Sequence, residues 1–268
     1  MPEPNDLPTE PQTTESGSVE TDDKPVYLYQ AMDYTYKTDI SASLDAIVTD
    51  LDPNYLLLVN RFYTLDEDHV PESLTRLTCS THNNKAVELE SRAATALYAM
   101  LAEMETDGVT DVAVTSGYRS YDYQQTLHKQ YLSKERSTIT PDAYAYFGAE
   151  YIQSQYLDQG LSRLTEEDAL KVVLSYSALP GASEHQSGLC VDFVTSTAML
   201  TEAFENTEAF DWLSQNAYRF GFILRYPANK TQITGYTYEP WHFRFVGREA
   251  ATEIRFRDLT LEEFITGK

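Results

Sequence analysis

The sequence predicts an α+β fold, in which a central antiparallel sheet is flanked by helices that are segregated around it. Residues 189–193 form an apolar-rich run of the strand type, and residues 241–245 alternate apolar and polar side chains. Residues 86–105 instead carry apolar side chains at helical spacing. A chain of 268 residues with 42% hydrophobic content can bury one sizeable core, although its length allows one or two domains.

Local signals define the individual elements. Leu97, Leu101 and Met104 form one stripe of the helix at 86–105, and Gly108 is placed to end it. Thr165 precedes three acidic residues in the manner of a capping box. In chain order we expect a strand at 55–60, an extended loop at 70–77, the helix at 86–105, a strand at 111–115, helices from 121, at 141–157, 165–177 and 207–219, a strand at 221–226, a loop at 229–235 and short peripheral helices after 247.

Residues 1–25 differ in composition from the rest of the chain. Prolines stand at positions 2, 4, 8, 11 and 25 among several Thr and Glu residues, and almost nothing is apolar. This composition is typical of a disordered linker or tether.

The acidic composition argues against a nucleic-acid partner. The formal net charge is −22, and the first 23 residues supply seven acids but no Lys or Arg. Binding to a phosphate backbone needs a basic surface, which this composition does not provide. We interpret the surplus as a solvated acidic surface, and no protein partner can be inferred from it.

Two histidines and one carboxylate stand in a pattern that suits an open zinc site. His185 precedes Asp192 by seven positions, and Glu239 and His242 follow about fifty residues later. Two imidazoles and a carboxylate can fill three corners of a zinc tetrahedron and leave the fourth for water. Glu239 is then a spare acid that would take a proton from that water and pass it to a leaving amine. Since no His-Glu-x-x-His run occurs, we expect the ligands on neighbouring strands of one sheet.

Cys190 lies two residues before Asp192, so a strand would place both side chains on one face. It is either an additional ligand or a small buried core residue, and its residue type favours the core. Cys190 and Cys79 do not fix the redox compartment, because two cysteines form no disulfide framework.

These motifs resemble the LAS metallopeptidases, and within them the D-alanyl-D-alanine carboxypeptidase (VanY-like) branch related to vancomycin-resistance carboxypeptidases. The resemblance rests on the His185 to Asp192 spacing, on Glu239-x-x-His242, and on the Ser-Gly-Tyr-Arg-Ser sequence at 116–120, and it extends over residues 55–247. It implies a single domain at 26–268 with a hedgehog/D-Ala-D-Ala peptidase-like fold and one zinc ion. It further implies a carboxypeptidase that removes D-alanine from peptidoglycan stem peptides.

The resemblance also implies roles for residues that would bind the substrate. Arg119 would hold the terminal carboxylate, which its planar guanidinium can pair bidentately, and Gln125 would assist it. Ser183 would hydrogen-bond the substrate. Tyr226 and Trp241 would line the groove, although core packing is an equally good interpretation of either aromatic residue.

Other functions remain open at this point. The fold can be a binding module without turnover, an endopeptidase, a D,D-dipeptidase or an L,D-carboxypeptidase. The free carboxylate of Glu239 favours catalysis, and Arg119 argues against an endopeptidase. Neither residue separates D,D from L,D cleavage.

The sequence contains no run of about 18 apolar residues and no signal peptide. A Pro/Thr/Glu-rich lead before a wall-peptidase domain nevertheless resembles a stalk that remains after an export segment or an anchor has been removed. We therefore expect an exported protein on the extracellular or cell-wall side, with membrane anchoring as an alternative.

Overall fold

The computed structural model describes residues 27–267. The linker predicted at residues 1–25 lies outside the described residues. Within the described part of the chain, no helix is long and apolar enough to cross a membrane.

A four-stranded antiparallel sheet forms the centre of the molecule, as predicted. The strands are β1 (Leu74–Arg76), β2 (Glu88–Glu90), β3 (Ala113–Ser116), β4 (Cys190–Val194), β5 (Phe222–Leu224) and β6 (His242–Phe245). The central sheet has the order β3-β4-β6-β5, and every neighbouring pair in it is antiparallel. β1 and β2 form a separate two-stranded sheet.

Helices surround this sheet, which confirms the α+β class. The α-helices are α1 (Leu44–Ile47), α2 (Ser91–Thr106), α3 (Tyr121–Ser137), α4 (Pro141–Phe147), α5 (Ala149–Gln155), α6 (Glu166–Tyr176), α7 (Glu208–Asn216), α8 (Thr231–Thr234), α9 (Arg248–Arg257) and α10 (Leu261–Thr266). Short 3-10 helices occupy Leu28–Ala31, Ser41–Ser43, His82–Asn84, Leu157–Gln159, Glu184–Ser187, Glu202–Asn206, Ala217–Phe220 and Ala228–Lys230.

Side-chain caps fix the starts of the helices near the cleft. Thr165 accepts a hydrogen bond from the backbone N–H of Asp168 at 3.2 Å, as its sequence predicts. Ser120 caps α3 in the same way. The single helix expected at 141–157 is interrupted at Gly148, whose φ of 83° is accessible to glycine but costly for other residues.

The sheet has one apolar face and one polar face, because successive side chains on a strand point to opposite sides. Val191 and Phe193 of β4 belong to the main apolar cluster, into which α2 also packs. The alternate positions of β4, Cys190 and Asp192, therefore point to the other face. His242 on the paired strand lies opposite Asp192 and points the same way. The apolar pattern of β4 and β6 thus determines where the polar side chains collect.

Three expectations about individual elements are wrong. Residues 55–60 form a loop rather than a strand, since the carbonyl oxygens of Tyr55 and Leu57 accept hydrogen bonds from the Arg244 side chain. The helix expected from residue 86 begins only at Ser91, because the preceding residues pair as β2 with β1. The loop expected at 229–235 contains α8.

The helices after Gly247 are also not peripheral. Residues 249–254 of α9 are buried, and its apolar side chains form a cluster with Ile223 of β5 and with Leu261 of α10. The C-terminal segment therefore belongs to the packed domain.

Candidate metal centre and active site

Two of the predicted ligands face each other across paired strands. Asp192 on β4 lies directly opposite His242 on β6 in the antiparallel register, which is the neighbouring-strand arrangement expected. His185 comes from the 3-10 helix just before β4, and Gly188 ends that helix with a φ of 69°. The tight turn at Gly188 brings the His185 ring back over the start of the strand.

The distances between these side chains are close to those of a zinc centre. His185 Nε2 lies 3.2 Å from Asp192 Oδ2, and His242 Nδ1 lies 3.0 Å from Asp192 Oδ1. Zn–N and Zn–O bonds of about 2.0–2.2 Å in a tetrahedron separate neighbouring donor atoms by about 3.3 Å. The three side chains are 3–5% exposed, so water does not compete freely for their donor atoms.

The hydrogen-bond partners of Asp192 and His185 also leave atoms of both side chains available to bind a cation. Asp192 Oδ1 is buried, and among the described residues no well-aligned hydrogen bond reaches it although His242 Nδ1 lies 3.0 Å away, which is costly for a carboxylate unless a cation neutralises it. His185 Nδ1 lies 2.7 Å from the carbonyl oxygen of Gly117. A proton on Nδ1 would donate to that carbonyl and leave Nε2, which faces Asp192, free to bind a metal.

Cys190 belongs to the same cluster. Its Sγ atom and one ring nitrogen each of His185 and His242 all lie within 4.8 Å of one another. Burial would lower the pKa of His185, but Cys190 and Asp192 raise it to about 9. Burial would raise the pKa of the Cys190 thiol, but the two histidines lower it to about 7. Cys190 is fully buried, as predicted, and its thiol lies beside the two histidines.

A buried ionic network lies behind His242, and the sequence reasoning missed it. Glu184 Oε1 accepts hydrogen bonds from Arg225 Nε and Arg244 Nη1, both at 2.8 Å. Its other oxygen, Oε2, is 3.7 Å from His242 Nε2. A carboxylate behind a ligating histidine orients the ring and raises its basicity. The only sequence signal was an acidic residue directly before His185.

Glu239 lies beside the metal centre with a side chain that is 12% exposed. Its Oε2 atom is 3.5 Å from His242 Nδ1, the nitrogen that faces Asp192. Burial raises the pKa of Glu239 to about 7. A carboxyl group with that pKa can both accept and release a proton near neutral pH.

The centre opens into a cleft of about 740 Å³. Arg119, Ser183, Tyr226 and Trp241 all line this cleft, together with the metal-centre residues. The ring of Tyr226 packs against that of His242 at a centroid distance of 4.9 Å, so it contacts both the cleft and the metal centre.

The glutamine that contacts Arg119 is Gln124, and the predicted assistant Gln125 makes a different contact. Gln124 Oε1 accepts a hydrogen bond of 2.8 Å from Arg119 Nη1, while its amide nitrogen donates to the carbonyl oxygen of Ala178 at 2.7 Å. Gln125 accepts a hydrogen bond from Lys129 on the outer side of α3. Neighbouring helical positions point about 100° apart, so the one-residue error moves the side chain out of the cleft.

Comparison with known proteins identifies the family. Residues 86–248 match the family VanY, D-alanyl-D-alanine carboxypeptidase. The chain is 33% identical over 240 residues to the predicted carboxypeptidase YodJ of Bacillus subtilis (strain 168), a match that covers 87% of this chain and 75% of YodJ.

Two solved structures are similar over most of the chain. The LD-carboxypeptidase LdcB matches with a TM-score of 0.61 and 34% identity, covering 80% of this chain and 87% of LdcB. A variant of the vancomycin-resistance D,D-pentapeptidase VanY in complex with Zn(II) matches with a TM-score of 0.59 and 33% identity, covering 79% of this chain and 99% of VanY.

The family match includes the whole metal centre, because residues 185–242 fall within it. The zinc ion of the VanY structure agrees with the buried imidazole cluster found here. The chain therefore belongs to the VanY family of D-alanyl-D-alanine carboxypeptidases, and it is a zinc-dependent metallo-carboxypeptidase of that family.

Proposed function

We propose that this enzyme removes the C-terminal D-alanine from peptidoglycan stem peptides, as a D,D-carboxypeptidase. The observation that carries the proposal is the joint placement of Arg119, Glu239 and the metal centre in one cleft. Arg119 offers a positive charge for a chain terminus, and its backbone N–H donates to the carbonyl oxygen of His185, so this charge lies close to the groups for hydrolysis. The relatives include a D,D-pentapeptidase and a protein whose structure concerns peptidoglycan recognition.

We assign His185, Asp192 and His242 as the ligands of one zinc ion. When bound, zinc polarises the scissile carbonyl and lowers the pKa of water at the open position. Glu239 accepts the proton of the attacking water and returns it to the leaving amine of D-alanine. The Gly117 carbonyl holds the His185 ring during this exchange, and the Glu184 carboxylate, 3.7 Å from His242 Nε2, supplies a negative charge behind the other ring.

Arg119 makes the enzyme an exopeptidase in this proposal. Its hydrogen bond to Gln124 fixes one edge of the guanidinium, and Gln124 is itself anchored to the Ala178 carbonyl. The remaining N–H groups are free to pair with the terminal carboxylate of the substrate. The cleft continues past Tyr131, Tyr176 and Tyr238, which gives room for the rest of a stem peptide. Because the cell wall is its substrate, we place the enzyme on the wall side of the membrane.

An L,D-carboxypeptidase is the second candidate, and the similarity to LdcB favours it. Both reactions release a C-terminal D-alanine and use the same metal, carboxylate and arginine. They differ in the chirality of the residue on the other side of the scissile bond. Only a substrate comparison separates them.

The test is a panel of defined peptides with product masses measured over time. We expect a pentapeptide stem ending in D-Ala-D-Ala to lose one D-alanine, with slower loss from the tetrapeptide and none from free D-Ala-D-Ala. Faster release from the tetrapeptide would establish the L,D reaction instead, and cleavage of the free dipeptide would establish a D,D-dipeptidase.

The matched control in this panel is Glu239→Gln, which keeps the shape of the side chain but cannot accept the proton. We expect it to retain zinc and to turn over the pentapeptide about a hundredfold or more slowly. Near-normal turnover in this variant would contradict the assignment of the base. No turnover by the unmodified zinc-loaded enzyme would indicate a binding module.

A further inference from the structure

Two aromatic side chains project from a turn at residues 60–63, which we call the aromatic turn. Phe62 is 82% exposed and Tyr63 is 56% exposed, and no other large apolar side chain in residues 27–267 is as exposed as Phe62. A single exposed apolar residue is ordinary, but two adjoining aromatic residues at one tip are typical of a binding surface.

The backbone of the aromatic turn is fixed although its aromatic side chains are free. The Asn60 N–H donates to the Tyr63 carbonyl oxygen at 2.9 Å, and the Tyr63 N–H donates back to the Asn60 carbonyl oxygen at 3.2 Å. The Asn60 side chain is buried, and its Oδ1 atom accepts a further hydrogen bond from the Phe62 N–H at 2.9 Å. A turn that is already ordered loses little further backbone entropy when its side chains bind a ligand.

The aromatic turn lies at the rim of the cleft. Arg61, which precedes Phe62, donates to the carbonyl oxygen of Gly235, and its guanidinium lies over the ring of Tyr236, 5.4 Å from the ring centroid. Tyr236 lines the cleft. A polymer attached to a peptide in the cleft can therefore reach the aromatic turn.

The charges beside the aromatic turn favour an uncharged ligand. Three exposed acids, Asp66, Glu67 and Asp68, follow the turn closely, and the only Lys or Arg of residues 60–69 is Arg61. An anionic membrane surface attracts basic segments and repels acidic ones. A second copy of this chain would bring two net charges of −22 together. Carboxylates accept hydrogen bonds from hydroxyl groups, however, and need no charge on the ligand.

We propose that the aromatic turn binds an uncharged saccharide chain, namely the glycan to which the stem peptide of the proposed function is attached. The ring faces of Phe62 and Tyr63 pack against the apolar C–H face of a sugar ring, and hydroxyl groups at the edge of that sugar donate to the neighbouring carboxylates. The enzyme then holds the polymer at the rim while the cleft holds the peptide, so each contact raises the effective concentration for the other. The inference rests on the proposed function for the nature of the polymer.

The binding test uses the full chain and chitotetraose, an uncharged oligosaccharide of N-acetylglucosamine. Saturation-transfer NMR detects contact between protein aromatic protons and the sugar. We expect a signal in the unmodified protein, its loss in the double variant Phe62→Ala/Tyr63→Ala, and its retention in Phe256→Ala. Phe256 is the matched control because it is a half-exposed aromatic residue on α9.

Three results of the binding test would overturn the proposal. One is no signal from the unmodified protein, and another is an equal signal from the double variant. The third is a different occupant, shown by binding to vesicles of anionic phospholipid or by self-association in sedimentation, either of which the double variant loses. Single variants at Phe62 and Tyr63 provide the same comparison if the double variant does not fold.

The activity test compares glycan chains that still carry the pentapeptide with the free pentapeptide. The double variant should lose about tenfold in kcat/KM on the glycan-linked substrate, the scale of truncating an aromatic anchor. It should keep its kcat/KM on the free pentapeptide, since neither Phe62 nor Tyr63 lines the cleft. Equal losses on both substrates would contradict the proposal. If the unmodified enzyme does not cleave the free pentapeptide, the proposed function fails, whereas saccharide binding is decided separately by chitotetraose.

Discussion

At the scale of single residues, the proposed function makes Arg119 the group that selects which part of a peptide the enzyme binds. It is half-buried at the wall of the cleft, and Gln124 holds one edge of its guanidinium. Such a guanidinium loses part of its hydration, and charge-assisted hydrogen bonds to an anion replace the stabilisation that the water provided. A free terminal carboxylate provides that anion, and an internal peptide bond does not.

We predict that two changes, amidation of the peptide C-terminus and Arg119→Ala, each remove the same ion pair between Arg119 and the substrate carboxylate. Amidating the C-terminus of the pentapeptide should lower the kcat/KM of the unmodified enzyme about 30- to several-thousandfold, the range expected for losing one side of a desolvated charge pair. Arg119→Ala should be similarly poor on the free acid and lose little more on the amide, because coupled changes are not additive. Steady-state kinetics of both enzymes on both peptides measure this coupling.

Arg136→Ala is the control for this cycle, since Arg136 is half exposed near the C-terminal end of α3 and its one ion pair with residues 27–267 is to the exposed Glu166. It should preserve the preference for the free acid. Equal cleavage of acid and amide by the unmodified enzyme would instead reject the carboxypeptidase assignment.

At the scale of elements, the end of β3 positions His185, one of the proposed metal ligands. Gly117 follows β3 directly, and its carbonyl oxygen is the partner of His185 Nδ1. A β-carbon at this position would collide with the carbonyl oxygen of Glu88 and would lie 2.8 Å from Val87 Cγ1. Glycine is therefore needed because the backbone passes so close to β2.

We predict that Gly117→Ala weakens zinc binding about 10- to 100-fold, since displacing the carbonyl removes the group that fixes the His185 tautomer. Chelator competition measures the affinity, and circular dichroism checks that the variant is folded. Gly108→Ala is the control, because its added β-carbon meets nothing within 4 Å although its φ of 87° makes it strained. It should lose stability but keep its zinc affinity. A folded Gly117→Ala with unchanged affinity would refute the positioning role.

The elements also explain what could be predicted from the sequence. The two-residue period of strands was sufficient to place Cys190 and Asp192 on one face, because that period is a local property. That His242 lies opposite Asp192 depends on the register between β4 and β6. The partnership of Arg244 with the loop carbonyl of Tyr55 spans 189 positions, and no local pattern encodes it. The strand expected at 55–60 failed for this reason. Gln125 was expected beside Arg119, but the rotation of α3, which the sequence did not reveal, places Gln124 there.

At the scale of the whole molecule, the metal centre is connected to the end of the chain. Arg225 lies on the segment after β5 and donates to Glu184 behind His242. The same guanidinium binds Glu262 of α10 bidentately, at 2.6 and 2.8 Å. Arg225 and Glu184 are fully buried, so their charges depend on one another for compensation. The C-terminal helix thus completes a network that begins at the metal centre.

The corresponding prediction is that Glu262→Gln destabilises the whole domain by on the order of 3 kcal/mol, because it leaves Arg225 buried with part of its charge uncompensated. Urea unfolding of the metal-free protein measures this as a lower midpoint with an unchanged slope. Asp258→Asn is the matched control, since Asp258 is 79% exposed and lies 3.9 Å from Lys230, and it should change the midpoint little. We also expect Glu262→Gln to weaken zinc binding, because Glu184 loses a fixed partner and holds His242 less firmly. Equal midpoints for Glu262→Gln and Asp258→Asn would contradict the stabilising role of Glu262, and an unchanged zinc affinity of Glu262→Gln would show that α10 does not support the metal centre.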